Sequence, residues 1–127
     1  MGGVPGVLAG RRVLVVDDET YVAMMLEDML HDLGCVVAGV AQSVAAGLAL
    51  AASAELDAAV LDVNLGGQSV TPVAEALAAR NVPILFSTGY GAAGVDPEWR
   101  GRPVLAKPFS IQELERALLA ALTGSAG

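Results

Sequence analysis

Five side chains of types that do chemistry together each directly follow an apolar run. Asp17 and Asp18 follow Val13-Leu14-Val15-Val16, and Asp62 follows Ala58-Ala59-Val60-Leu61. Thr88 follows the run from Val82 to Ser87, and Lys107 the run from about Arg102 to Ala106. Carboxylates brought to one place repel: a pair about 4 Å apart costs roughly 4 kcal/mol at an effective dielectric near 20. Either one carboxyl keeps its proton or a cation sits among them. Hard oxygen ligands that leave coordination positions to water or phosphate suit Mg²⁺, with Mn²⁺ as a substitute. The blander alternative is that Asp17 and Asp18 cap the first helix, a common use of Asp. Two adjacent acids plus Asp62 exceed what a cap needs. Lys107 read as a solvated surface lysine is weakened by its being the chain's one lysine, placed directly before Pro108.

The elements that must position these groups alternate along the chain. The run Val13 to Val16 reads as a strand. Val22, Met25, Leu26, Met29, Leu30 and Leu33 then recur at helical spacing, with Glu27, Asp28, His31 and Asp32 on the opposite face and Gly34 placed to stop the helix. A second strand is expected at 35–40, and a helix from Ser43 to about Ser53. The third strand leads into Asp62. After a Gly66-Gly67 loop a helix is expected over 70–80, with Pro72 tolerated in its first turn. Strands at 82–87 and about 102–106 follow. Ser110-Ile111-Gln112-Glu113 is a capping-box pattern opening a last helix that buries Ile111, Leu114, Leu118 and Leu122. Strands apolar on both faces, alternating with helices, imply a doubly wound α/β domain with a five-stranded parallel sheet. One connection breaks the rhythm: four glycines and two prolines between Thr88 and Val104 make the helix there short or absent. Open sheets of this kind bind ligands at the carboxyl ends of their strands, so all five groups fall on one rim.

Composition narrows the function classes. The chain has 127 residues, 54% of them hydrophobic, and a formal charge of -7. The length fits a single domain, ordered from about 11 to 123, with Gly124 to Gly127 a frayed tail. Arg11-Arg12, Arg80 and Arg100-Arg102 are too sparse to build a patch for a phosphate backbone, so nucleic acid is not an expected partner. So much apolar content excludes a disordered chain. Cys35 has no second cysteine to pair with and lies in an apolar run, as a small buried residue in a reducing compartment would. Met1 to Gly10 lacks the basic and apolar segments of a signal peptide, and no run approaches the roughly 18 apolar residues of a membrane span. A soluble, cytoplasmic protein is expected.

Taken together, Val15-Val16-Asp17-Asp18-Glu19, Leu61-Asp62, Ser87-Thr88-Gly89 and Lys107-Pro108-Phe109 resemble the receiver domains of two-component response regulators, over about residues 11–123. The resemblance implies a flavodoxin-like strand order 2-1-3-4-5. It implies that Asp62 is the phosphoacceptor, attacking a phosphohistidine on a histidine kinase or a histidine phosphotransfer protein. Asp18 would ligate Mg²⁺ directly and Asp17 partly through water, with Asp62 and the main-chain carbonyl of Asn64 completing the protein ligands. Thr88 would bond one phosphoryl oxygen and Lys107 another, and a cis Lys107–Pro108 bond is expected. Such a protein is not an enzyme in the ordinary sense; it assists its own phosphorylation and dephosphorylation. The chemistry is sound in its own terms, because a carboxylate is a weak nucleophile and the gain must come from positioning and charge neutralisation. With no further segment to act as output, a stand-alone regulator that works through an unidentified downstream protein target is expected.

Two features depart from the family pattern: the residue three before Lys107, and the eroded helix between strands four and five. Val104 stands three before Lys107, where receivers that use a rotating aromatic switch carry Tyr or Phe. Phe86-Ser87-Thr88-Gly89-Tyr90 is similar to a receiver subgroup with a Phe-x-Thr-Gly-Tyr signature; Tyr90 is then either an alternative switch or an aromatic packed on the loop. Rival readings are weaker. Gly89-Tyr90-Gly91-Ala92-Ala93-Gly94 matches a dinucleotide fingerprint literally, but Val95-Asp96-Pro97 offers no helix to a pyrophosphate. A small Mg²⁺-dependent phosphohydrolase with an Asp62 nucleophile has the right residue types but no room for a substrate-covering cap. His31 as a phosphoryl donor sits among acids on a polar helix face. Trp99 and Tyr90 would either mark a partner surface or cover the short crossover.

Overall fold

Val13 to Val16 and Ala58 to Leu61 are buried on both faces, the signature of strands covered by helices on each side. The computed structural model describes residues 7–89, 95–99 and 101–123. In chain order its strands are β1 (Arg12–Val16), β2 (Val36–Ala41), β3 (Ala58–Asp62), β4 (Asn64–Leu65), β5 (Gln68–Ser69), β6 (Ile84–Thr88) and β7 (Val104–Ala106). Its helices are α1 (Thr20–Asp32), α2 (Val44–Ser53), α3 (Thr71–Ala79) and α4 (Ile111–Thr123). The main sheet has the order β2-β1-β3-β6-β7 with every pair parallel, which is the flavodoxin-like order expected. Chain direction across the sheet reverses between β1 and β3. Their carboxyl ends therefore flank the crevice where such sheets bind ligands.

Side-chain alternation along the strands splits the core in two. Leu14, Val16, Ala59, Leu61, Ile84 and Phe86 pack beneath α2 and α3, with Trp99 closing that side. Val13, Val15, Val60, Leu85 and Leu105 pack beneath α1 and α4, against Leu26, Leu30, Leu114 and Leu118. Cys35 belongs to this second cluster; burial pushes its thiol pKa up, and Arg11 nearby pulls the other way. A Cβ on Gly47 would lie 3.1 Å from Val73 Cγ2, so the missing side chain lets α2 sit close to α3.

The helix ends follow the sequence signals. Gly34 takes the left-handed φ of +88° that stops α1, and Pro72 occupies the first turn of α3. The capping box is reciprocal: Glu113 N–H donates to Ser110 Oγ at 3.1 Å, and Ser110 N–H to Glu113 Oε1 at 2.8 Å. Ile111 and Leu122 are half-buried while Leu114 and Leu118 are fully buried. Two strands begin later than their apolar runs. Pro83 and Pro103, lacking N–H groups, precede β6 and β7, although their carbonyls still accept from Ala59 and Phe86. The Gly66-Gly67 segment is the turn of the β4–β5 hairpin, with φ of +57° and +88° at the two glycines.

Between β6 and β7 the described residues contain one 3-10 turn, Pro97–Trp99, and no α-helix. Trp99 is buried there, tilted against Phe86 with ring centroids 6.1 Å apart, and the Arg102 guanidinium lies 4.8 Å from its centre. It covers the crossover. Among the described residues no helix is long and apolar enough to cross a membrane. The expectations placed on Tyr90, on the Gly91–Gly94 part of the fingerprint, on Arg100 and on the two termini lie outside the described residues.

Candidate functional site

Parallel pairing in register delivers the expected groups to one rim. β1 ends one residue before Asp17, Asp62 closes β3, and Thr88 closes β6. Lys107 directly follows β7, and its backbone N–H donates to the Thr88 carbonyl at 3.0 Å. Carboxylate oxygens of Asp17, Asp18 and Asp62 lie within 4.8 Å of one another. Asp17, Asp62 and Thr88 are buried, an unusual burden of polar groups for residues at strand ends. Neither acid after β1 caps α1 through its side chain. Glu19 is the N-cap residue and makes no side-chain cap bond, while Asp17 Oδ1 accepts from the Glu19 N–H at 2.9 Å. Asp18 Oδ2 accepts from the Gly66 N–H at 2.8 Å, which fastens the β4–β5 turn to the rim.

Lys107 is the hub. Its Nζ stands 3.2 Å from Asp17 Oδ2, 3.3 Å from Asp62 Oδ2 and 3.0 Å from Glu19 Oε1. Burial works against the ammonium, but the Glu19 hydrogen bond and the charges of Asp17 and Asp62 outweigh it, and the lysine pKa is raised. Asp62 moves the other way from an ordinary carboxylate. Burial pushes its pKa from 3.8 up to about 6, and the Asp17 charge adds to this; the Asn64 N–H and Lys107 offset part of the rise. Asn64 N–H donates to Asp62 Oδ1 at 3.3 Å, and Asn64 Oδ1 accepts from the Gly67 N–H at 2.9 Å.

Among the described residues, one cation faces four acids, which leaves the site electrostatically incomplete. Asp17 Oδ2 is buried with no hydrogen-bond partner among the described residues; Lys107 Nζ, off hydrogen-bonding geometry, is the charge beside it. That oxygen, the all-oxygen donor set and the short spacing of the three carboxylates fit a hard divalent ion of the Mg²⁺ type. Asp62 also lines a cavity of about 380 Å³ with Asn64, Ser69, Thr88 and Asp96.

The fold matches known proteins. Residues 13–119 match the response regulator receiver domain family. The chain belongs to that family. This receiver domain is 29% identical over 112 residues to the transcriptional regulatory protein PdtaR of Mycobacterium tuberculosis, covering 85% of the chain and 55% of PdtaR. It is 30% identical over 115 residues to the phyllosphere-induced regulator PhyR of Methylorubrum extorquens, covering 87% of the chain and 43% of PhyR. The receiver domain thus spans about half the length of the curated relatives it matches. Among solved structures, SdrG of Sphingomonas melonis Fr1 is 46% identical, with a TM-score of 0.79 over 91% of this chain and 98% of SdrG. SdrG is also known in a BeF3-activated conformation.

The structure brings Asp17, Asp18, Asp62, Asn64, Thr88 and Lys107 together as the sequence led us to expect. The Lys107–Pro108 bond is cis. Val104, half-buried, pairs with Phe86 across the sheet, so no ring occupies that switch position. Two residues beside the site were missed. Glu19 lies nearest of the three acids around Lys107 Nζ; the run Asp17-Asp18-Glu19 carried the signal, but only the first two acids were read as functional. Asp96 on the cavity wall had no signal, because it lies in the irregular crossover.

Proposed function

We propose that this receiver domain accepts a phosphoryl group on Asp62 from the phosphohistidine of a histidine kinase or a phosphotransfer protein. The observation that carries the reading is the placement of a buried carboxylate, Asp62, beside the chain's one lysine and on the lining of a cavity of about 380 Å³. In the transfer a carboxylate oxygen of Asp62 attacks phosphorus while the phosphorus–nitrogen bond to the donor imidazole breaks, its electron pair returning to that ring. Asp62 must be ionised to attack, and with a pKa of about 6 it is largely so at neutral pH. Lys107 turns from the Asp62 carboxylate to a phosphoryl oxygen, and the Thr88 hydroxyl donates to another. The carboxylates of Asp17, Asp18 and Asp62 and the main-chain carbonyl of Asn64 would hold Mg²⁺. When bound, the ion supplies neutralisation of the charge shared between phosphoryl and carboxylate oxygens.

The same groups assist the return reaction with water, so the protein influences its own dephosphorylation. Output runs through phosphorylation-dependent contacts with another protein; SdrG, a similar receiver, has a BeF3-activated conformation. Incubation with acetyl phosphate and MgCl₂, followed by intact mass, tests the reading. One phosphoryl adduct is expected, and none in EDTA or in Asp62→Asn. Catalytic turnover of a small phosphate ester without an adduct would favour a hydrolase instead.

A further inference from the structure

Val63, Ser69 and Asp96 line the Asp62 cavity on one side and a second cavity of about 40 Å³ on the other. Phe86, Val95 and Trp99 line the far side of that smaller space. Asp96, itself exposed, therefore borders both the site of chemistry and the seat of the chain's one tryptophan.

Asp96 is lightly fastened. Thr71 Oγ1 donates to Asp96 Oδ2 at 3.4 Å, near the limit of a hydrogen bond, while it accepts from Ser69 Oγ at 2.8 Å. The Asp96 carbonyl accepts the Trp99 N–H at 2.9 Å, closing the 3-10 turn, so a shift of Asp96 moves the turn that carries Trp99. Trp99 itself is 8% exposed, yet its indole Nε1 has no hydrogen-bond partner among the described residues. A buried donor left unpaired costs free energy, and the void beside the ring forfeits contacts. Packing on Phe86 and the Arg102 guanidinium hold a seat that is poorer than the core around it.

We propose that Asp96 is the residue through which phosphorylation of Asp62 acts on the fold: the new charge displaces Asp96 from its place between the two cavities, and the Pro97–Trp99 turn carries Trp99 off Phe86. The proposal rests on the reading of Asp62 given above. A phosphoryl group brings a charge of about -1.5 to -2, which disrupts contacts when it faces an acid. Val104 offers no ring to move, whereas Trp99 lies on Phe86, two residues before Thr88 on the same strand. Coupling is reciprocal: if phosphorylation must displace Asp96, removing its charge makes phosphorylation easier.

The chain's single tryptophan makes the test direct. Wild-type, Asp96→Asn and Asp96→Glu proteins are incubated with acetyl phosphate and MgCl₂; acrylamide quenching of Trp99 emission and intact mass are read on the same samples. In the wild type the quenching constant rises severalfold as the adduct forms. Asp96→Asn forms the adduct at least as fully but shows no rise, and Asp96→Glu restores it. An adduct in the wild type with unchanged quenching, or a full rise in Asp96→Asn, overturns the role of Asp96 and leaves Asp62 as acceptor. Absence of any adduct in the wild type overturns the Asp62 reading and this proposal with it.

Discussion

Asp62→Asn should stabilise the metal-free protein at neutral pH. The carboxylate is buried beside Asp17, and its pKa rises from 3.8 to about 6 on folding. The folded state thus binds the proton more tightly than the unfolded chain, and stability falls as pH rises from about 4 to about 7. Fully realised, a rise of that size is worth about 3 kcal/mol at pH 7. Solvation from the adjoining cavity reduces this, and we expect about 1–3 kcal/mol. Asparagine keeps an oxygen to accept from the Asn64 N–H, and Lys107 keeps Asp17 and Glu19 as partners. The substitution therefore removes the repulsion without orphaning its neighbours. Urea unfolding in EDTA at several pH values from 4 to 8 is the assay. The two proteins should coincide near pH 4 and diverge as pH rises, the wild type losing stability. With MgCl₂ the gap should narrow. A variant as stable as or less stable than wild type at pH 7 in EDTA would refute the claim that the site carries uncompensated negative charge.

Other outcomes follow from the same geometry. Mg²⁺ should raise the unfolding free energy by about 1.4 kcal/mol at ten times its dissociation constant, an increment that Asp18→Asn should abolish in the same urea assay. Lys107→Ala should destabilise the metal-free fold by about 2–4 kcal/mol, because Asp17, with a side chain 1% exposed, loses its one nearby cation among the described residues; acetyl phosphate labelling of that variant should also collapse. Leu118→Ala should cost about 2–5 kcal/mol by urea unfolding, since Leu118 is fully buried between α4 and the sheet, while leaving the phosphorylated mass adduct attainable below the new midpoint.

What could be read in advance was whatever rests on periodicity and strand ends. Val13 to Asp18 and Ala58 to Asp62 announce buried strands that hand acids to a rim, because a run apolar on both faces leaves only its end free to carry function. Lys107 was legible through its uniqueness and its Pro108 neighbour. The β4–β5 hairpin was not, since two residues on each side of Gly66-Gly67 are too few to show alternation. Glu19 escaped because its partner Lys107 is 88 residues away and meets it only after β7 is laid beside β6. Trp99 could have been a surface residue or a cover; the choice depended on Phe86 lying beneath it, a tertiary fact. Pro83 and Pro103 shortened two strands that hydrophobicity alone extended.

The central claim is that Asp62 itself carries the phosphoryl group. Borohydride reduction of the protein treated with acetyl phosphate and MgCl₂ converts an aspartyl phosphate to homoserine, which peptide mass spectrometry locates. The account predicts homoserine at position 62 and nowhere else. Reduction at another aspartate, or an adduct that survives in Asp62→Asn, would contradict it.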